Sequence, residues 1–324
     1  MGKYLITGGA GFIGSHFCDS ALERKHQVLV FDNFSTGKME FLKQCLNHSG
    51  FKLVEGDIRD LAHLTRVCQD FKPTHIVHLA ANADVRRGLE RPNRDLEYNT
   101  VGTWNIAEAS RQANCKNIVF SSTGSVYGEP QVFPTPENCP FPEQTSLYAA
   151  SKLAGEAILS AYAHGFQMNI LTFRFVSILG PRYTHGHVFD FVSSLRNDPN
   201  NLEVLGNGKQ LKSYLHVEDL IEGIWKALEK HLSGFQVFNI GHDEAMTVDQ
   251  SVGYIADELK LAPSIKYSGG IRGWVGDSPR IQLDCRRMKE LGWTFRHSIE
   301  KGVRDTVSYL VKNPFLFESK ELSP

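Results

Sequence analysis

The chain opens with a short apolar run, Lys3–Thr7, that breaks on glycines at 8, 9 and 11 and resumes as an amphipathic stretch over Phe12–Lys25. That order predicts strand, tight turn and helix. The alternation then repeats. Further strands are predicted over Gln27–Phe31, Phe51–Glu55, Thr74–Leu79, Asn117–Ser121 and Asn169–Phe175. Helices are predicted over Asp60–Gln69, Asn93–Gln112 and Ser146–His164. Strand and helix in turn imply an α/β fold, a doubly wound parallel sheet with helices on both faces. Past Gly180 the pattern changes. Helices are predicted over Val188–Arg196, His216–Lys230, Thr247–Leu259 and Ile299–Val311, and one strand, Gln236–Ile240, is expected to return to the sheet. The organisation expected is a nucleotide-binding domain over residues 1–175, rejoined by 217–241, and a smaller interleaved substrate-binding lobe over most of 176–324.

The first turn has the spacing Gly8-x-x-Gly11-x-x-Gly14, a variant of the fingerprint that marks a Rossmann-type dinucleotide site. Gly8 allows the sharp turn, Gly11 lets a pyrophosphate approach the backbone, and Gly14 lets the helix pack closely on the strand. The N–H groups at the helix start then face the phosphates. Asp32 ends the second strand, near the position roughly 20 residues on where a carboxylate accepts hydrogen bonds from the ribose. That charge repels a 2′-phosphate, by roughly 4 kcal/mol at 4 Å in an intermediate dielectric, so NAD is favoured over NADP. Asp57, after the third strand, is placed to accept from the adenine amino group.

Composition adds exclusions. The 324 residues are 41% hydrophobic and 22% charged, with a formal net charge of -1, which gives no electrostatic case for nucleic acid or an anionic membrane surface. No apolar run reaches the ~20 residues that span a bilayer, since Arg174 interrupts the longest, Ile170–Leu179. The first strand begins almost at Met1, which leaves no room for a signal peptide. Six scattered cysteines without a C-x-x-C pair read as reduced thiols of a cytoplasmic protein. His185 and His187 flank Gly186, but two histidines do not make a metal site, and none is expected.

Tyr148-Ala-Ala-Ser-Lys152 places both side chains on one helix face. A phenol near pKa 10 is a poor base at neutral pH. A neighbouring ammonium is expected to lower it by roughly three units, into the range of a general base.

Taken with Asp32-Asn33, Gly56-Asp57-Ile58, His78-Leu-Ala-Ala81, Asn99, Ser121-Ser-Thr-Gly-Ser-Val-Tyr-Gly128 and Gly180-Pro-Arg182, these motifs give the chain a clear likeness. It resembles the extended short-chain dehydrogenases/reductases of the NAD-dependent nucleotide-sugar epimerase/dehydratase branch. The resemblance implies that Tyr148 is the acid/base and that Lys152 binds the nicotinamide ribose and tunes it. It also implies that Thr123 bonds the reacting sugar hydroxyl. NAD contacts are implied at Gly8, Gly11, Phe12, Ile13, Asp32, Asn33, Asp57, Ile58, Asn99, Tyr148 and Lys152, with Leu79, Ala80 and Ala81 lining the channel. Substrate contacts are implied at Asp84, Arg86, Thr123, Ser177, Lys212, Tyr214, Arg272 and Asp277, and a homodimer through the two long helices at 93–112 and 146–164.

Several segments depart from the family pattern. Gly124-Ser125 stand where 4,6-dehydratases carry Asp-Glu, which argues against dehydration. Arg174-Phe-Val-Ser177 replaces Arg-Tyr-Phe-Asn, Lys212-Ser-Tyr214 replaces Arg-Asp-Phe, and Arg272 and Asp277 are spaced more widely than in Arg-Pro-Gly-Asp. The reaction implied is epimerisation of a nucleotide sugar at C4 through a transient 4-keto sugar. A nucleotide-sugar 4-dehydrogenase or reductase and a non-catalytic dinucleotide-binding protein are the alternatives.

Overall fold

The computed structural model describes residues 1–83, 88, 90–140, 143–273 and 278–318. The first half runs β1 (Lys3–Thr7), α1 (Phe12–Glu23), β2 (Gln27–Asp32), β3 (Phe51–Glu55), α2 (Leu61–Phe71) and β4 (His75–His78). A helical turn, α3 (Pro92–Arg94), leads through a π-helical stretch (Asp95–Val101) into α4 (Gly102–Gln112), β5 (Asn117–Thr123), α5 (Leu147–Phe166) and β6 (Asn169–Phe175). The second half holds β7 (Ser177–Leu179), α6 (His187–Asn197), β8 (Asn201–Val204), β9 (Leu211–Lys212), β10 (Tyr214–His216), α7 (Val217–Leu228) and β11 (Phe235–Ile240). It ends with β12 (Met246–Thr247), α8 (Val248–Leu259), β13 (Ser264–Tyr267), β14 (Arg280–Ile281), α9 (Arg286–Glu290) and α10 (Ile299–Lys312).

Seven strands form one sheet in the order β11-β6-β5-β4-β1-β2-β3, and every neighbouring pair is parallel. Strand order reverses at β1, so a crevice opens at the carboxyl ends of β1 and β4, where ligands bind in such sheets. Alternation along β1 splits the core. Tyr4 and Ile6 pack into the cluster that holds α1 and α7, and Leu5 packs into the cluster with α2, α4 and α5. α7 belongs to the first face although it lies late in sequence. Trp225 stacks on Phe17 at 4.8 Å, and its Nε1 donates to Ser20 Oγ at 3.0 Å.

Local signals explain most boundaries. Asp60 caps α2 by accepting from the His63 N–H, Ser146 caps α5, and Thr247 with Gln250 forms a reciprocal capping box on α8. The predicted single helix over Asn93–Gln112 is instead interrupted by the π stretch. A π turn is one residue wider than an α turn, and here it brings Asp95 and Asn99 both indoors. The lobe after β6 contains small sheets, β10-β7, β12-β9-β14 and β13-β8. Their strands, of two to four residues, are too short to show a period.

Gly14 differs in detail from the expectation. Its close neighbour is the glycine turn rather than the strand: a Cβ there would sit 2.1 Å from Gly8 O and 2.7 Å from Gly9 Cα. Backbone atoms cannot rotate away. Gly14→Ala should therefore lower stability by about 1–3 kcal/mol, read as a lower urea midpoint at unchanged slope; a wild-type midpoint would show that the turn yields.

Candidate active site

The glycine turn is built by contact between two strand ends. Gly8 has φ +70°, and a Cβ on it would lie 2.7 Å from the Ala80 N–H nitrogen, so only glycine lets β1 exit against Leu79-Ala80. Gly11 ends the turn as the N-cap of α1 and offers no side-chain cap. The first N–H groups of α1 are thus left for an anion. Phe12 is buried and Ile13 half-buried in that first turn. Asp32 is 7% exposed. Its Oδ2 accepts from the Ala10 N–H and its Oδ1 from the Phe34 N–H, both at 2.9 Å. Burial pushes this carboxyl up, and those two N–H groups oppose it. Each oxygen keeps a lone pair for a ribose hydroxyl.

Asn33 donates to Asp57 Oδ2 at 3.0 Å. Asp57 is more engaged than the sequence suggested, because Arg59 grips both of its oxygens at 3.0 and 2.9 Å. The Ile58 side chain is buried under Gly102. Leu79, Ala80 and Ala81 follow β4 and are half-buried. His78 fixes that exit: Thr7 Oγ1 lies 2.8 Å from its Nδ1 and Thr103 Oγ1 3.1 Å from its Nε2. Thr103 spends its proton on Asn99 O, so His78 donates from Nε2 and accepts at Nδ1. Burial, with the charge of Lys152, holds its pKa down to about 3. Asn99 is fully buried and accepts from the Asn82 N–H at 2.8 Å while its amide donates to Asn82 O and Ser151 Oγ. It ties the loop after β4 to α5.

Thr123 ends β5 and accepts from the Ser125 N–H at 3.1 Å. The Tyr148 phenol, in the first turn of α5, is near enough to feel the Thr123 hydroxyl. Lys152 is 2% exposed and donates from Nζ to Ser121 O at 2.8 Å, with its charge 5.0 Å from the centre of the Phe120 ring. Thus one turn of α5, carrying Tyr148 and Lys152, comes to the strand end that holds Thr123. Their electrostatics correct the expectation. Burial pushes the Tyr148 phenol up to about 12; the Thr123 hydroxyl opposes this and the Asp95 charge adds to it. The same burial pulls the Lys152 ammonium down to about 7, against the charges of Glu156 and Asp95. In the ligand-free chain burial outweighs any help that Lys152 gives the phenol.

The substrate-lobe candidates divide. Ser177 is exposed on β7 and lies opposite buried Tyr214 on β10. Lys212 lies on β9 between Met246 and Ile281. Arg272 forms an ion pair with Glu129, just past Gly128. Asp84, Arg86 and Asp277 lie outside the described residues. His185 stacks on Tyr183, and His187 bonds Ser251 Oγ at 2.8 Å, joining α6 to α8.

Residues that sequence reasoning passed over include Glu156 and Arg174. Glu156 was detectable as the next i+4 step after Lys152, and Arg174 as a charge inside a buried strand, which needs a partner. His216, Glu218 and His297 also come together within 4.8 Å. His216 Nδ1 accepts the Glu218 N–H at the start of α7. That leaves its proton on Nε2, the atom a metal would need, and makes the group a helix cap.

A glycine turn at a helix start, a buried aspartate ending β2 and a Thr–Tyr–Lys group at the same, carboxyl, end of the sheet suit a dinucleotide-dependent enzyme. The chain belongs to the NAD dependent epimerase/dehydratase family, whose model matches residues 4–241. It is similar to the UDP-glucose 4-epimerase of Mycolicibacterium smegmatis, 34% identical over 95% of this chain and 98% of that one. Among solved structures, UDP-glucose 4-epimerase of Thermus thermophilus in complex with NAD superposes with a TM-score of 0.85 at 33% identity, over 95% of this chain and 99% of that one. The Thermotoga maritima enzyme with UDP-glucose gives 0.87 at 32% identity, over 96% and 99%.

Lys152 gives a pH test. Its pKa falls from 10.5 unfolded to about 7 folded, so between those values the unfolded chain binds more protons and stability rises with pH. Below about 7 the full penalty of a buried charge applies. Lys152→Met should stabilise the ligand-free chain at pH 6 by a few kcal/mol. The gain should shrink towards pH 10 in thermal melts run across that range; a gain independent of pH would contradict the assignment.

Proposed function

We infer that this chain is an NAD-dependent nucleotide-sugar epimerase acting at C4. The observation that carries this reading is the placement of Thr123 at the end of β5, Tyr148 in the first turn of α5, and Lys152 buried one turn further along and bonded to the carbonyl of Ser121, two residues before Thr123. Gly8, Gly11, Phe12 and Ile13 would hold the pyrophosphate end of the cofactor, and Asp32, Asn33, Asp57 and Ile58 the adenosine end. Leu79, Ala80, Ala81 and Asn99 would border the channel between them. When bound, NAD supplies a hydride acceptor and a positive ring whose charge favours the Tyr148 phenolate. Thr123 then orients the C4 hydroxyl and Tyr148 takes its proton. Lys152 would anchor the ribose, and Tyr148 would return the proton to the C4 oxygen as the 4-keto sugar, its other face presented, takes back the hydride. Ser177, Lys212, Tyr214 and Arg272, with Asp84, Arg86 and Asp277, are the proposed substrate contacts. The domain division at residue 175, with 217–241 rejoining the sheet, goes with this reading: β11 pairs with β6 at the sheet edge.

The molecule is further read as a cytoplasmic homodimer. Six free thiols, five of them buried, fit a reducing compartment. Among the described residues no helix is long and apolar enough to cross a membrane. Leu96, Val101 and Trp104 on the π stretch and α4, and Leu147 and Phe166 on α5, are exposed apolar side chains on the two adjoining helices, the surface a second copy would cover.

Two outcomes follow. Tyr148→Phe should reduce kcat for interconversion of UDP-glucose and UDP-galactose by at least about 10²-fold while NAD stays bound, read by sugar chromatography and cofactor absorbance; wild-type turnover would refute the acid/base role. Trp104→Glu should shift sedimentation at micromolar protein towards monomer, and an unchanged profile would remove this face as the interface.

A further inference from the structure

Tyr148, Lys152 and Glu156 follow one another at four-residue steps on α5, so they line a single face of the helix. The first two belong to the proposed chemistry. Glu156 does not reach the substrate side, yet it is 3% exposed and held on every side. It accepts from Ser122 Oγ, and Arg174 binds it bidentately, with Nε at 2.9 Å from one oxygen and Nη2 at 2.6 Å from the other.

Arg174 is fixed in its turn. Its Nη1 donates to Tyr127 Oη at 2.8 Å and to Glu137 O at 3.2 Å, and Tyr127 passes its proton to Asn239 Oδ1 at 2.8 Å. The network therefore joins β5, α5, β6, the turn after Thr123 and β11. Ser122 lies between Ser121, whose carbonyl holds Lys152, and Thr123. The carboxylate of Glu156 thus grips the strand between the two groups whose placement the reaction needs.

Charge makes a second argument. Among the described residues, Lys152 has Ser121 O as its hydrogen-bond acceptor and the Phe120 ring under its charge, and no carboxylate pairs with it directly. A buried ammonium with so little compensation tends to shed its proton. The charges facing it are Glu156 and Tyr148 on its own helix, Asp95 on the π stretch, neutral His78 on β4, and Arg174 behind Glu156 on β6. Burial pulls the lysine down, and Glu156 is the first of the two carboxylates that resist.

We propose that Glu156 is a positioning residue of the reaction, locking the Ser121–Thr123 strand end to α5 and supplying the buried negative charge that keeps Lys152 an ammonium. The proposal rests on the acid/base reading of Tyr148 and Lys152. Arg174, Tyr127 and Asn239 are its supports: they hold the carboxylate in place.

The test is the pH dependence of kcat for nucleotide-sugar epimerisation by the NAD-loaded enzyme. Glu156→Gln should move the alkaline limb to lower pH by about one unit or more, so that the loss is tenfold or greater above the limb and smaller at pH 6. Glu156→Asp retains the charge and should restore the limb even where kcat stays low. Ser122→Ala removes a contact without a charge and should lower kcat evenly across pH. If Glu156→Gln does not fold, Glu156→Gln combined with Arg174→Met replaces the ion pair by an uncharged one and should move the limb in the same direction. An unmoved limb in the folded variant overturns the proposal. Tyr148→Phe, run in parallel, separates the two readings: full activity there overturns the acid/base reading, whereas an inactive Tyr148→Phe with an unmoved Glu156→Gln limb overturns the role of Glu156 alone.

Discussion

Burying one ammonium sets the terms for the rest of the catalytic half. Lys152 has to lie inside, because the end of β5 and the face of α5 meet there, and a buried charge is tolerated only where dipoles and opposite charges surround it. The chain meets this with a backbone carbonyl, a ring face and two carboxylates at a distance instead of a direct ion pair. The result is a lysine poised near neutrality and a phenol pushed well above it. A site of this kind draws its final charge balance from what binds to it, which ties proton transfer to the presence of ligand.

The same economy of space shapes the cofactor end. Gly8 has no room for a Cβ because Leu79-Ala80 crosses it, and Gly14 has none because the turn itself does. β1 and β4 are neighbours in the sheet, so the turn after one and the loop after the other are pressed together. His78, locked as a neutral donor–acceptor between Thr7 and Thr103, carries that contact through to Asn99 and hence to Ser151 on α5. The glycine turn and the proposed base are therefore connected through side chains fixed by their own hydrogen bonds.

Most of this frame was legible in the sequence. Strand runs with clear apolar periodicity, such as Lys3–Thr7 and Phe51–Glu55, coincide with the observed strands, and the helices with capping residues begin where those residues stand. The π stretch was not legible, because its sequence differs from that of an ordinary helix by nothing but the register of two buried polar side chains, Asp95 and Asn99. The short strands of the lobe were hidden for lack of length. The phenol's tuning was misjudged for a different reason: the spacing of Tyr148 and Lys152 reveals their proximity, but the sign of the net effect depends on burial, which spacing does not report. Glu156 lay in plain sight at the next helical step and acquires meaning only with Arg174 beside it.

The structure also bears on which reaction the site can run after the sugar is oxidised. Elimination across C5 and C6 needs an acid and a base beside the threonine, at the positions held by Gly124 and Ser125. A Cβ on Gly124 would lie 3.3 Å from Leu283 Cδ1 and 3.6 Å from Ile281 Cγ2, against apolar side chains from the lobe after β6. A carboxylate entering there would be desolvated without a partner and would be forced neutral or expelled. Ser125 is occupied in turn, its N–H capping Thr123 Oγ1 and its hydroxyl accepting from it. The lobe has closed over these two positions with hydrocarbon and with a hydrogen bond that steadies Thr123. These surroundings disfavour an acid and a base at the two positions, in keeping with the epimerase reading proposed above.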